Sequence, residues 1–282
     1  MPEKYLRHGG VPILVRHTGA STLPERPPAS LAARTVVCLH DAGLQSSVFI
    51  DLLAALATRR SERGAAAADA CSLALDLPGH GRSGGLDALP SIEAMSDCAR
   101  GVAGWCRAGR PILVGHGMGA LVALDWAGRD PGNLGGLVLC GTGSGLGVRD
   151  EAIAHMREVT RGRAPRPFDP KRLAPGTAPE LMRRAYFESI QTDPRTTLGD
   201  LEASLAYSTG VVSRTAGSSL GSAMPVLVVA GECEPEADLD AARTLAARHG
   251  ARFATLAKAG HWLPLEQPAA LAAEITSLAE AA

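Results

Sequence analysis

Residues 115–119 read Gly115-His116-Gly117-Met118-Gly119. The pattern G-x-S-x-G after an apolar strand marks a strained strand-to-helix turn that lifts a reactive side chain into reach. Every member of that pattern is present here except the serine. Gly117 has no side chain, so a covalent acyl-enzyme at this position is chemically excluded. Proton-handling residues stand further along the chain. His261 lies in AGHWLPLEQP, and Glu234 lies between Glu232 and Glu236 in GECEPE. A histidine of near-neutral pKa exchanges protons, and a carboxylate can hold its tautomer and stabilise the imidazolium. Spacing alone leaves open which of the three glutamates partners His261.

The elements that must position these residues follow a rhythm. Residues 4–17 give two extended stretches around Gly9-Gly10, a hairpin signal. Residues 18–34 are rich in Pro, Ser, Thr and Ala and read as a loop. Short apolar runs then alternate with helical stretches: 35–39, a helix over 46–60, 71–77, a helix over 91–107, 111–115, a helix over 118–129, then 135–141, 225–231 and 251–256. Continuous apolar strands alternating with helices imply a parallel sheet covered on both faces, with function at the strand carboxyl ends. Between 145 and 220 the strand signal stops and helical patches at 147–162, 178–191 and 196–209 replace it. That segment reads as a helical cap inserted into a core of 1–144 and 221–282.

Motif order now carries a resemblance. TVVCLHDAG, DLPGHGRS, VGHGMGA, VLVVAGECEP and AGHWLPLEQP occur in sequence, and together they resemble the α/β-hydrolase superfamily, in its cap-bearing esterase, peptidase and C–C hydrolase branch. The resemblance covers nearly the whole chain. It implies an α/β-hydrolase fold, mostly parallel with helices on both faces. It places Gly117 at the nucleophile position, Glu234 at the acid and His261 at the base, in the superfamily's chain order. It also implies an oxyanion hole made by the N–H of Met118 and that of Asp41 or Ala42. Asp41 departs from the glycine common there. A carboxylate at that point would oppose an anionic intermediate or serve as an acid or base itself. His40, His116 and Trp262 are expected to line the substrate pocket.

Composition bounds the rest. The 282 residues carry a formal net charge of −1, 46% hydrophobic and 20% charged residues, which gives no electrostatic case for nucleic acid or an anionic membrane. No run approaches transmembrane length and the N-terminus lacks a signal-peptide core, so a cytoplasmic protein is expected. The six cysteines form no C-x-x-C pair and read as thiols, not as a metal clip. No metal or organic cofactor is implied. The expected partner is a small-molecule substrate, and a homodimer is compatible with the sequence. A literal G-x-S-x-G at 217–221 precedes a strand instead of following one, so Ser219 reads as a loop serine, and Ser83 as a turn residue. Gly141 to Gly145 lacks the Lys-Ser/Thr of a phosphate loop. His8, His17, His155 and His249 read as surface residues without metal spacing.

Three functions fit these residues. One is a non-covalent enzyme of hydrolase, lyase or cyclase type, with His261 and Glu234 exchanging protons above a small carbonyl or ester-type substrate. In it, the missing side chain leaves room for water or a substrate group above Gly117. Another is an inactive pseudo-hydrolase that binds a ligand or partner in the retained pocket. The third is a serine esterase whose nucleophile at position 117 has been changed to glycine by engineering.

Overall fold

The computed structural model describes residues 1–19, 35–62, 71–83, 85, 87–142, 148–214 and 220–281. The loop expected over 18–34, most of the 141–145 segment and Ser219 lie outside them. The hairpin at the N-terminus forms as β1 (Glu3–His8) and β2 (Val11–His17), turning at Gly9 and Gly10, both at positive φ. Six further strands follow: β3 (Val36–Leu39), β4 (Ser72–Leu75), β5 (Ile112–His116), β6 (Gly136–Cys140), β7 (Val226–Gly231) and β8 (Arg252–Leu256). They make one eight-stranded sheet in the order β1-β2-β4-β3-β5-β6-β7-β8. The β1–β2 and β2–β4 pairings are antiparallel, and every other pairing is parallel.

The central strands read as unbroken apolar runs because both faces are covered. All residues of β3, β4, β5, β6 and β7 are buried. Alternation along each strand sends side chains to opposite faces. Val37, Leu39, Leu113, Leu139 and Val228 pack with α2 (Ile92–Trp105), α3 (Met118–Arg129) and α7 (Glu236–His249). Val36, Cys38, Val114, Val138 and Val229 pack with α1 (Ile50–Glu62), α8 (Leu263–Glu266) and α9 (Pro268–Ala281). Residues 46–49, expected as helix, form a 3-10 turn leading into α1. Helix α2 starts where Ser91 accepts a hydrogen bond from the Ala94 N–H, satisfying a donor that the helix leaves unpaired.

Between β6 and β7 the chain makes α4 (Asp150–Thr160), α5 (Pro179–Ile190) and α6 (Pro194–Arg214), with no strand among the described residues there. Helix α6 packs on α4 and reaches α3. Five of the six cysteines are buried, Cys233 is exposed, and all six are free thiols. His17 and His249, expected at the surface, are buried instead. Each sits in an element whose neighbours close over it, in the pairing of β2 with β4 and on the inner side of α7. Among the described residues, no helix is long and apolar enough to cross a membrane.

The sheet order fixes where a ligand can sit. The chain passes from β3 outward to β4 and then back to β5 on the other side of β3. A crevice opens at the carboxyl ends of strands where the winding reverses. Asp41 follows β3 and Gly117 follows β5, so both flank that point.

Candidate active site

Gly117 joins β5 to α3 with φ 54° and ψ −116°, a backbone conformation that L side chains avoid. Gly119, one step into the helix, lies so close to β3 that a Cβ there would overlap the Leu39 carbonyl. The turn therefore has the sharp strand-to-helix geometry expected from its glycines. The space above Gly117 is not open, however. A Cβ built on Gly117 would overlap Oδ1 and Cγ of Asp41. The expected room for water or a substrate group is filled by a carboxylate that the β3 loop delivers from the other side of the crevice.

Asp41 is tightly held. Its Oδ1 accepts from the N–H of Met118 at 2.8 Å and from the N–H of Ala42 at 2.8 Å. Its Oδ2 lies 3.1 Å from Nε2 of His261 and 3.9 Å from a guanidinium nitrogen of Arg172. The first turn of α3 adds the positive end of its dipole. Burial works to raise this carboxyl, but the hydrogen bond from His261 and the charge of Arg172 hold it below its ordinary range. An ionised carboxylate only accepts hydrogen bonds, so Nε2 of His261 carries the hydrogen toward Asp41. Burial first, and then Arg172, push His261 down to about 3, and the ring is neutral near pH 7.

The loop that carries His261 is braced on three sides. The His261 N–H donates to the Arg172 carbonyl at 2.7 Å. Its own carbonyl accepts from Nε2 of His116 at 2.9 Å. Glu266 accepts from the N–H groups of Gly260 and Trp262 with one oxygen and from that of Ala174 with the other. His116 is wholly buried, and because Nε2 is spent on a carbonyl its Nδ1 is left without a partner. Burial lowers its pKa, against the pull of Asp41.

Glu234 does not pair with His261. Its carboxyl accepts from the Gly231 N–H at 3.3 Å, and burial pushes it up to about 7. Glu236 is bound to Arg243 instead, and Glu232 makes no hydrogen bond to the ring. The hydrogen bond of the imidazole goes to Asp41, which supplies the nearby negative charge. His40 is also buried, donating from Nδ1 to the Asp41 carbonyl and accepting the Leu77 N–H at Nε2. It braces the loop that bears Asp41. Trp262, expected to line a pocket, is buried in the core beside α8 and α9.

Among the described residues, Asp41, His116 and His261 are the one group of three whose metal-ligating atoms come together, within 4.8 Å of one another. Oδ1 of Asp41 and Nε2 of His116 are already committed to the protein. Arg172 and Glu266 are the residues of the site that the sequence did not single out. Arg172 sits in the segment between α4 and α5 with no motif around it, and Glu266 was visible only as the acid of LPLEQP.

The arrangement is one of a loop carboxylate and a histidine converging on the turn between a central strand and its helix. The alpha/beta hydrolase family model matches residues 36–274, a span that begins at β3 and ends within α9. The chain belongs to the alpha/beta hydrolase family. The chain is 37% identical over 123 residues to a pimeloyl-[acyl-carrier protein] methyl ester esterase from Chromobacterium violaceum, an alignment covering 43% of this chain and 41% of that one. The matched stretch is thus about two fifths of the esterase. Among solved structures it resembles Est816, described as an N-acyl homoserine lactone degrading enzyme, with TM-score 0.72 and 20% identity over 97% of this chain and 99% of that one. An enol-lactonase from Burkholderia xenovorans superposes with TM-score 0.70 and 20% identity, over 97% and 98% of the two chains. A hydrolase from Pseudomonas aeruginosa gives TM-score 0.71 and 22% identity, over 98% and 97%. These likenesses are of fold.

Proposed function

We propose that this hydrolase-family chain is an enzyme acting on a small carbonyl or ester-type compound by acid–base chemistry at His261, with no acyl-enzyme at residue 117. The observation that carries this reading is the contact of His261 Nε2 with the Asp41 carboxylate at 3.1 Å, directly over the elbow glycine. A serine hydrolase needs a carboxylate to hold one nitrogen of its histidine and stabilise the imidazolium. Asp41 is placed to do that from the side where the serine would stand. Glu234, at the family's acid position, is pushed up to about 7 and carries only part of a charge near pH 7. Helices α4 to α6 serve as the cap, and Arg172 from that segment supplies a cation beside the carboxylate. The similarity to esterases and lactonases supports ester-type substrates.

A specific observation favours a second reading. The N–H groups of Ala42 and Met118 would be the oxyanion donors, and both are already occupied by Asp41. A bound carbonyl compound then finds no donor, as in a pocket that binds and does not convert. The engineered-esterase reading fares worse, because Gly117 and Asp41 fit as a pair and a serine alone would collide. Turnover of a panel of small esters and lactones by wild type and His261→Ala decides between the first two. A positioned acid–base group contributes roughly 10²–10⁴-fold, and a loss of that size in kcat/KM is the expected result. Ligand binding without turnover in either protein supports the pseudo-enzyme.

A further inference from the structure

Two backbone N–H groups that converge on one oxygen are the geometry for stabilising an oxyanion. In this site that oxygen is Oδ1 of Asp41, at 2.8 Å from both donors. Cγ of Asp41 therefore stands where the carbonyl carbon under attack would stand, with a histidine nitrogen beside its second oxygen. A carboxylate resists attack, because its charge is shared by both oxygens. An ester of that carboxylate does not, and its carbonyl oxygen would keep both N–H groups. Such an ester forms when Oδ2 displaces a leaving group from a saturated carbon. Gly117 is what makes the space, since any side chain there would overlap the carboxylate.

We infer that Asp41 is the nucleophile of this site, attacking an alkyl carbon whose leaving group departs as an anion, and that the amide pair with His261 hydrolyses the aspartyl ester so formed. The inference rests on His261 being an acid–base group, and it adds the bond made and the substrate class. In the first step Oδ2 forms a bond to the carbon and the carbon–leaving-group bond breaks. The departing anion takes the electron pair beside the Arg172 guanidinium, which lies 3.9 Å from Oδ2. Esterification also removes the anion that held the Nε2 hydrogen, so the ring is free to present a lone pair. In the second step His261 takes a proton from water, and the hydroxide adds to Cγ. The negative charge gathers on Oδ1 against the Ala42 and Met118 amides. Collapse expels the alkoxide, which receives the proton from His261. The restored Asp41 carboxyl ionises, and the sum is alkyl compound plus water giving alcohol, anion and one proton.

The test uses 4-nitrobenzyl bromide with the full chain. Wild type should release 4-nitrobenzyl alcohol, and after repeated turnover in oxygen-18 water the Asp41 carboxylate should carry the label, read by mass spectrometry of its peptide. His261→Gln should slow alcohol release by at least about 100-fold and accumulate one 4-nitrobenzyl group on Asp41. Asp41→Asn should show neither label nor alcohol, whereas adducts on the exposed Cys233 should be equal in all three proteins. Alcohol released with no label in Asp41 overturns the inference, as does the absence of both turnover and adduct. The labelling needs only wild type, so a His261→Gln protein that fails to fold leaves the question decidable. Esters hydrolysed in a His261-dependent manner, with the label confined to the product acid, would retain the proposed function and remove Asp41 as nucleophile.

Discussion

Two histidine–aspartate pairs in this molecule differ in almost every property but their residue types. His80 and Asp200 meet at 2.7 Å with both side chains wholly buried. Nδ1 of His80 faces the Pro78 carbonyl while Nε2 faces the carboxylate. Both ring nitrogens point at acceptors, so the ring is an imidazolium. Burial alone would lower its pKa, and the charge and hydrogen bond of Asp200 raise it. His261 and Asp41 meet at 3.1 Å with 13% and 16% of their side chains exposed, and there the ring is neutral. The cause lies in what else satisfies the carboxylate. Asp41 is balanced by two amides, a helix terminus and Arg172, and needs no proton on the second ring nitrogen. Asp200 has one further donor among the described residues, the Gly43 N–H at 2.8 Å, and draws a full charge onto His80. A sealed, charged pair holds parts together, whereas a neutral ring with a spare nitrogen at a crevice can move protons.

The sharpest way to break the comparison is to remove one carboxylate from each pair. Asp200 stands on α6, while His80 and Gly43 belong to the core loops, so this ion pair ties the inserted helices to the loop that carries Asp41. Removing one partner of a buried pair leaves the other without its partner in a dry site and costs about 3–5 kcal/mol. Asp200→Ala should lower the unfolding free energy, read by chemical denaturation, by that amount. Asp41→Asn keeps an oxygen able to accept from the two amides and should cost far less stability. Equal losses in the two variants would mean that the pairs do not differ in kind.

The next test exchanges the two unusual residues. Gly117→Ser alone puts a side chain at φ 54° into the volume of Asp41, and it should gain no esterase activity. Gly117→Ser with Asp41→Gly clears that volume and frees both N–H groups for a substrate oxyanion. The double variant should be labelled by a fluorophosphonate at its introduced serine. It should also exceed the single variant on 4-nitrophenyl esters by roughly 10²–10³-fold, the worth of an oxyanion donor. Equal activity would show that Asp41 does not block the amides.

These two residues also mark how far the sequence could be read. The parallel sheet was legible because β3 to β7 are unbroken apolar runs, and α3 was placed at 118–129, opening after Gly117 and stopping ahead of Asp130-Pro131. His261 was legible from its loop motif. The partner of His261 was not. The sequence offers Glu234 at the expected point, and only the fold shows that the β3 loop brings Asp41 from 220 positions away onto the same ring. Nothing local distinguishes a carboxylate that points across a crevice from one that caps its own turn. Asp200 was hidden for the same reason, a lone acid within a helix whose partner lies 120 residues earlier.

The two pairs also predict opposite limbs in the dependence of stability on pH. His80 has a folded-state pKa raised above its unfolded value of about 6.5. Its contribution is complete below that value and is lost as pH rises through the folded one. His261 is lowered to about 3, so between about 6.5 and that value the unfolded chain binds a proton that the folded chain does not. Its effect is to lose stability as pH falls. Each slope is bounded by about 1.4 kcal/mol per pH unit, so the change from one step to the next is the smallest of the expected effects. Chemical unfolding across a range of roughly pH 4 to 9, in steps of about one unit, should therefore show Asp200→Asn flattening the alkaline limb and His261→Gln flattening the acid limb. If His261→Gln instead flattens the alkaline limb, His261 is an imidazolium in the folded protein. A charged ring has no lone pair with which to take a proton from water, and the acid–base role proposed for it would fall with the distinction between the pairs.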